Sequence, residues 1–336
     1  MLRGAFIGFG NVAAQGHAPH WLSRDDVKIV AGTDARPSRS DVFHAAFPAA
    51  RWHPSLDDLF SGERLDFVDI CAPPGAHAAL TERALEAGLH VLCEKPLVTR
   101  ADDARVVAAK AARAGRIVHT VHNWLKAPVC LKLSSLVAEG VVGAVRSVSW
   151  RTLRTRPAVV AGPNGVANWR VDPALAGGGV LVDHGWHALY CVARWAGRPL
   201  AISALLETRR FREQPLEDTA TIELGTASGS SRIFLTWAAE ARSNRIEIEG
   251  EGGRIHAEGD TVMVESNSGA RRFSCPPSLS EGSQHPDWFD GVADDFLAAA
   301  SGEGPGNLEE AMMCAELIDL AQRSSAAGGV RLSARD

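Results

Sequence analysis

The sequence predicts an α/β domain with a doubly wound parallel sheet, followed by a second domain with helices and an antiparallel sheet. Three observations lead there. A glycine-rich turn, Gly8 to Ala13, follows a strand at the start of the chain. Strands and helices then alternate to about residue 122, the pattern of a parallel sheet covered by helices on both faces. Beyond residue 200, short alternating strands are separated by glycine-bearing turns, the pattern of an antiparallel sheet.

The chain has 336 residues, enough for two domains with sizeable cores. Its formal net charge is −5 and it carries no long basic run, so nucleic acid is not an expected partner. No apolar run is long enough to cross a bilayer, and the first strand begins too early for a signal peptide. These features predict no membrane partner and a cytoplasmic location. Cysteines 71, 93, 130, 191, 275 and 314 form no CxxC pair, and several fall in apolar runs. Buried thiols are expected rather than disulfides, and no metal.

The first strand runs into GFGNVA, which fits GxGxx(G/A) and marks an α/β Rossmann domain. Gly8 permits the tight turn, Gly10 lets the backbone approach a pyrophosphate, and Ala13 allows close helix–strand packing. Asn11 and Val12 lie in the same turn, where the helix start offers free N–H groups to phosphates. The second strand, Val27 to Thr33, ends in Asp34, a carboxylate placed for the adenine ribose hydroxyls. Asp34 favours NAD, because it repels a 2′-phosphate. Arg36 and Arg39 keep NADP open, and a plain turn role for Asp34 would remove the preference.

Leu65 to Cys71 reads as the next strand, broken by Ala72-Pro73-Pro74-Gly75. A helix from about His77 to Ala87 stops at Gly88. Val91-Leu92-Cys93 then runs straight into Glu94-Lys95-Pro96. A buried parallel strand is an apolar run, and polar residues appear where it leaves the sheet. Lys95 is therefore expected at the carboxyl end of a central strand, where open α/β sheets bind ligands. Taken alone, the same residues read equally as a strand exit with a surface ion pair. Thr99 reads as the N-cap of a helix to Ala114, ended by Gly115. Ile117 to Val121 is a strand with His122-Asn123 as its polar exit. Ala72, Pro73, His77, Glu94, Lys95 and Asn123 join the fingerprint and Asp34 as candidate cofactor contacts along one sheet edge.

A cut after residue 122 gives an NAD(P)-binding domain, 1–122, and a second domain, 123–336, with the last helix free to pack back on the first. In the second domain, Pro128 opens a helix to Glu139. Val145 to Leu153 alternates as a strand. The loop from Pro157 to Asn168 is long enough to be functional. Val180 to Ala193 reads as one apolar helix with Asp183 and His187 on a shared face. Such a pair needs a partner or a cavity. A buried structural hydrogen bond is one reading. A metal set of Asp183, His184 and His187 with His119 and His122 is another, without HExxH spacing to support it. Six strands follow between Ala201 and Glu265, then helices over Asp287–Ala300 and Asn307–Arg323.

The order GFGNVA, Asp34, CAPPGAH, GLHVLCEKPL, Trp169-Arg170 and GGGVLVDHGWH resembles the glucose–fructose oxidoreductase / inositol dehydrogenase / MocA family over nearly the whole chain. Its most specific pieces are Glu94-Lys95-Pro96 and Asp183-x-Gly-x-His187. The resemblance implies an α/β Rossmann domain at the N-terminus, a cis Lys–Pro peptide, and a C-terminal α+β domain with a large open, mostly antiparallel sheet whose exposed face packs against another subunit in a homodimer or homotetramer. It assigns substrate binding and oligomerisation to the second domain, 123–336. It implies NAD(P)-dependent oxidation of a ring hydroxyl of a sugar, amino sugar or cyclitol, or the reverse reduction. The members exported with bound cofactor carry a leader, which is not expected here. Lys95, Asp183 and His187 are the implied catalytic set. His122 and Asn123 are implied to contact substrate or nicotinamide, and Trp169 and Arg170 to form a lid. His184 adds a second imidazole on the substrate side. A ring nitrogen titrating near neutrality suits His187 as base. An ammonium suits Lys95 as partner of the developing alkoxide, or as part of the proton relay. Asp183 would orient substrate and support the charged imidazole. The tryptophans at 124, 150, 169 and 186 stack on sugar or fill the core. Two other functions remain open: an NAD-dependent glycoside hydrolase of the same fold, and a non-catalytic NAD(P)/sugar sensor.

Overall fold

The computed structural model describes residues 1–162, 168–267, 269–282 and 284–334. Its chain falls into two compact units, Met1–Asn123 with Val160–Trp169 and Gly282–Met312, and Trp124–Val159 with Arg170–Glu281 and Met313–Asp336.

The first unit holds strands β1 (Leu2–Ile7), β2 (Val27–Thr33), β3 (Arg51–Trp52), β4 (Phe67–Ile70), β5 (His90–Cys93) and β6 (Val118–Thr120). They form one parallel sheet in the order β3-β2-β1-β4-β5-β6. The order reverses between β1 and β4, so the loops after these strands flank the switch point where such sheets bind ligands. Every residue of β4 is buried, Asp69 included. Helices His77–Glu86 and Ala101–Ala114 end where Gly88 and Gly115 take positive φ, as their positions predict. Thr99 is not the cap of the second one. Arg100 takes that place without a side-chain hydrogen bond.

A core of Phe6, Phe9, Phe43, Phe47, Phe67 and Trp21 also takes in Phe289, Val292, Ala293 and Phe296. Those four come from helix Pro286–Ala300. The aromatic face of β1 and β4 is thus covered by a helix from far along the chain. Asn307 adds to this. Its Oδ1 accepts the Thr120 N–H and its Nδ2 donates to the Thr120 carbonyl, both at 2.7 Å, so a side-chain amide serves β6 as a strand would.

The second unit is built on nine strands: β7 (Val145–Leu153), β8 (Ala201–Glu207), β9 (Thr219–Gly225), β10 (Ser230–Thr236), β11 (Ser243–Gly250), β12 (Gly253–Glu258), β13 (Thr261–Ser266), β14 (Gly269–Ser274) and β15 (Leu332–Ser333). Their order is β14-β13-β12-β11-β7-β10-β9-β8-β15, antiparallel throughout except for β7 beside β10. Burial alternates along β11 and β13, so one face is packed and the other open. The open face carries cross-strand ion pairs such as Arg232–Glu223 and Arg254–Glu265. Strands β3, β14 and β15 were not expected: two are only two residues long, and β14 is mostly exposed and basic, without the apolar alternation that reveals a strand.

All six cysteines are free thiols, five of them buried. No helix among the described residues is long and apolar enough to cross a membrane.

Candidate active site

In the first unit, β1 delivers the chain into the fingerprint turn. Gly8 has φ +86°, and a Cβ there would stand 2.9 Å from the backbone of Cys71 and Ala72, so only glycine fits. A Cβ on Gly10 would approach nothing closer than an Arg36 guanidinium nitrogen at 3.7 Å, which leaves the turn open on that side. Asn11 is exposed and Val12 half-buried beside it. The Asp34 carboxylate accepts the Phe9 and Arg36 N–H groups, each at 2.8 Å, and pairs with Arg36 Nε at 3.2 Å. Arg39 Nε donates to the Phe9 carbonyl at 2.6 Å. An open glycine turn with a fixed carboxylate at the end of β2 fits the pyrophosphate and ribose of a dinucleotide.

Along the same sheet edge, Ala72 and Pro73 are half-buried while His77 is fully buried. Its Nδ1 faces the Pro96 carbonyl and its Nε2 the Ala72 carbonyl, both at 2.7 Å. Burial lowers its pKa, while the two carbonyls act to raise it. His77 thus braces the loops after β4 and β5 from beneath. His122 Nδ1 meets Glu310 at 2.7 Å. Asn123 Oδ1 is buried without a hydrogen-bond partner, an acceptor in want of a donor.

Beyond β5, Lys95–Pro96 is a cis peptide. Glu94 holds this exit. One carboxylate oxygen accepts the Lys95 N–H at 2.9 Å, and the other lies 3.1 Å from His17 Nε2. His17 Nδ1 lies 3.0 Å from Asp69, which also accepts the Trp21 indole N–H at 2.8 Å. The imidazole stacks on Phe289, with centroids 3.7 Å apart. Burial alone would lower the His17 pKa, but the charges and hydrogen bonds of Asp69 and Glu94 raise it to about 9. Burial pushes the Glu94 carboxyl up, and His17 with Lys95 brings it below the usual range.

Sequence reasoning missed this buried pair. The signal was Asp69 itself, a carboxylate inside an apolar strand, which demands a partner. His17 sits where it does because Ala13–His17 is a π-helical turn before helix Ala18–Ser23. Among the described residues, the one His/Cys/carboxylate set close enough for a metal is His17, Asp69 and Cys71. Its hydrogen bonds explain it better: both His17 ring nitrogens face carboxylate oxygens, so the ring is used as a donor on both sides and turns no lone pair to a metal.

In the second unit, Glu217 caps the helix that carries the Asp–His motif. Its carboxylate accepts the Gly179 N–H at 2.9 Å and the Leu181 N–H at 3.0 Å. A Cβ on Gly179 would lie 2.0 Å from the Glu217 carbonyl oxygen, so the approach requires glycine. The helix is not one continuous α-helix, as its period suggested. Leu181–Gly185 is a π-helical turn and Trp186–Ala196 is α-helical. Such turns concentrate at functional sites.

Asp183 accepts from Arg170 at 2.6 Å and lies 3.3 Å from His184 Nδ1. His187 Nδ1 lies 2.7 Å from the Tyr190 hydroxyl, and its ring stacks on Trp124 with centroids 4.4 Å apart. The Tyr190 oxygen accepts the Trp124 N–H at 3.1 Å. It retains a lone pair and its own proton for Nδ1, so it serves either protonation state of the imidazole. Trp150 and Trp186 are fully buried and belong to the core. Trp169 opens a short 3-10 turn, Trp169–Val171, and donates to the Val160 carbonyl at 3.0 Å. Residues 163–167 of the expected lid loop lie outside the described residues. Sequence reasoning also missed Arg154. Its buried guanidinium donates to the Leu153 carbonyl and Asn244 Oδ1, and burial with the charge of Arg242 lowers its pKa to about 10, against Asp183.

A switch-point sheet with a glycine turn and an acidic second-strand end defines a dinucleotide-binding oxidoreductase, here joined in one chain to an antiparallel sheet domain. The family model described as oxidoreductase family, NAD-binding Rossmann fold, of the GFO/IDH/MocA group matches residues 2–122, and its C-terminal domain model matches residues 130–256. The chain belongs to the GFO/IDH/MocA family and is an NAD(P)-dependent dehydrogenase. It is 32% identical over 190 residues to D-glucoside 3-dehydrogenase of Escherichia coli, a match covering 56% of this chain and 52% of that one. It is 28% identical over 289 residues to D-apiose dehydrogenase of Paraburkholderia graminis, covering 83% and 74%. The fold matches an Agrobacterium radiobacter oxidoreductase solved with NAD+, L-tartaric acid and magnesium, with a TM-score of 0.86 at 22% identity over 99% of this chain and 98% of that one.

Proposed function

We propose that the protein moves a hydride between NAD and a ring alcohol, or the matching ketone, of a sugar, amino sugar or cyclitol. The observation that carries this reading is His187, held by stacking on Trp124 and by a Tyr190 hydroxyl able to serve both protonation states. With Nδ1–H donated to the Tyr190 oxygen, a proton gained and lost at Nε2 leaves that hydrogen bond and the ring orientation unchanged through the turnover. The names of the E. coli and P. graminis relatives, both sugar dehydrogenases, point the same way.

Gly8, Gly10, Asn11, Val12 and Asp34 would hold the pyrophosphate and adenine ribose, with Ala72, Pro73, Glu94 and Asn123 along the same edge. When bound, the nicotinamide accepts or returns the hydride. His187 takes the hydroxyl proton through Nε2. Asp183, steadied by Arg170, orients the substrate and favours the imidazolium. Lys95 donates to the substrate oxygen as negative charge develops. His122, His184 and Trp169 complete the substrate side. The open face of the nine-stranded sheet pairs two copies in this reading, and the compartment is the cytoplasm.

Incubation with NAD and a panel of polyols and sugars, followed by the absorbance of reduced cofactor, should reveal turnover on at least one ring alcohol. No reduction by any of them, with NAD-dependent cleavage of an aryl glycoside, would replace this function with the hydrolase. Asp34→Ala should weaken NAD by about tenfold or more and NADP far less, since it removes a charge-assisted contact to the ribose. Equal loss for both cofactors would end the preference for NAD.

A further inference from the structure

We infer that His17 is a positioning residue for Lys95, acting through Glu94. The inference rests on the reading of Lys95 as a catalytic group. The geometry forms a continuous line from the sheet interior to its edge. Asp69, fully buried in β4, fixes one side of the imidazole. The other side fixes a Glu94 oxygen. The second Glu94 oxygen fixes the Lys95 N–H. The Phe289 ring closes one face of the imidazole, and Trp21 holds Asp69 from behind.

Both ring nitrogens face carboxylates, so the ring serves both only as a double donor. Without the imidazolium, Asp69 and Glu94 would stand as like charges in the interior, and Glu94 would turn towards water. The Lys95 amide would then lose its acceptor, and the chain carrying the ammonium would lose its fixed direction. Glu94 thereby gains a role: it converts a buried charge pair into the main-chain setting of its neighbour.

Three readouts test this on the intact protein. Nitrogen NMR of labelled histidine should find both His17 ring nitrogens protonated at neutral pH. Hydrogen exchange at the Lys95 amide should quicken by about tenfold or more in His17→Gln and in Glu94→Gln, the loss of one charge-assisted hydrogen bond. In the polyol assay each variant should lose about 10²-fold in kcat with KM changed by less than about threefold, as misplacement of a reacting group predicts. The double variant should lose no more than either single one, because both act on one line. Unchanged exchange at Lys95, or losses that multiply in the double variant, would overturn the inference. Glu94→Gln keeps the side-chain volume and carries the same readouts should His17→Gln fail to fold. If Lys95→Ala retains turnover, the catalytic reading falls, while exchange at the Lys95 amide still decides whether His17 sets it.

Discussion

Lys95→Ala is expected to lower kcat by about 10²- to 10³-fold, the usual worth of one donor aimed at developing negative charge. His187→Ala is expected to cost about 10²- to 10⁴-fold, the range for a positioned acid or base. NAD affinity should change by less than about threefold in both, because the proposed binding assigns the main hold on the nucleotide to the fingerprint turn and Asp34. The double variant should fall short of the product of the two losses, since in the proposed reaction both groups act on one substrate oxygen. Steady-state kinetics on the best polyol from the panel, with NAD binding followed by tryptophan fluorescence, would measure all of this. Turnover that survives both substitutions would mean that the chemistry lies elsewhere.

The stability of the protein should fall as pH rises from 6.5 to 9, and His17 should be the cause. Its folded pKa of about 9 stands above the ordinary 6.5. Below pH 6.5 the ring is protonated in folded and unfolded chains alike, and its contribution is complete. Between the two values the unfolded chain has shed the proton and the folded one retains it. The folded state then binds more protons, so stability falls with pH, in total by on the order of 3 kcal/mol. Above pH 9 the contribution is gone. Urea unfolding at intervals across this range should show the decline in the parent and a much flatter profile in His17→Gln. The same slope in both proteins would sink the assignment.

The parts of the fold visible in the sequence are those written in local spacing. The fingerprint turn, the acid ending β2 and the apolar run of β5 into Glu94-Lys95-Pro96 each occupy a few consecutive residues, and each has a direct backbone reason. The six expected strands of the second unit were likewise legible from alternation and glycine turns. Periodicity could not reveal the π-helical turns, Ala13–His17 and Leu181–Gly185, because it reports which residues are apolar and not which carbonyl each N–H meets. Nor could it reveal that Glu94, His17 and Asp69 form one line, since 77 positions separate Glu94 from His17 and 52 separate His17 from Asp69. Glu217 was hidden for a similar reason: a carboxylate capping a helix 36 positions earlier leaves no local trace. Asp69, a carboxylate inside a buried strand, was the one part of the Glu94, His17 and Asp69 line with a local trace, and sequence reasoning missed it.

The amide of Asn307 seated on Thr120 has a consequence for biosynthesis. The two residues are 187 positions apart. At about 5 to 20 residues per second, the ribosome finishes β6 roughly 10 to 40 s before it supplies Asn307. Helix Pro286–Ala300, which covers the aromatic core of the first unit, emerges only shortly before that. For this interval the nascent sheet has a bare final edge and uncovered phenylalanines, while the whole of the intervening sheet is being made. The nucleotide-binding half therefore begins first and finishes almost last, and the growing chain is most in need of chaperone cover during that wait.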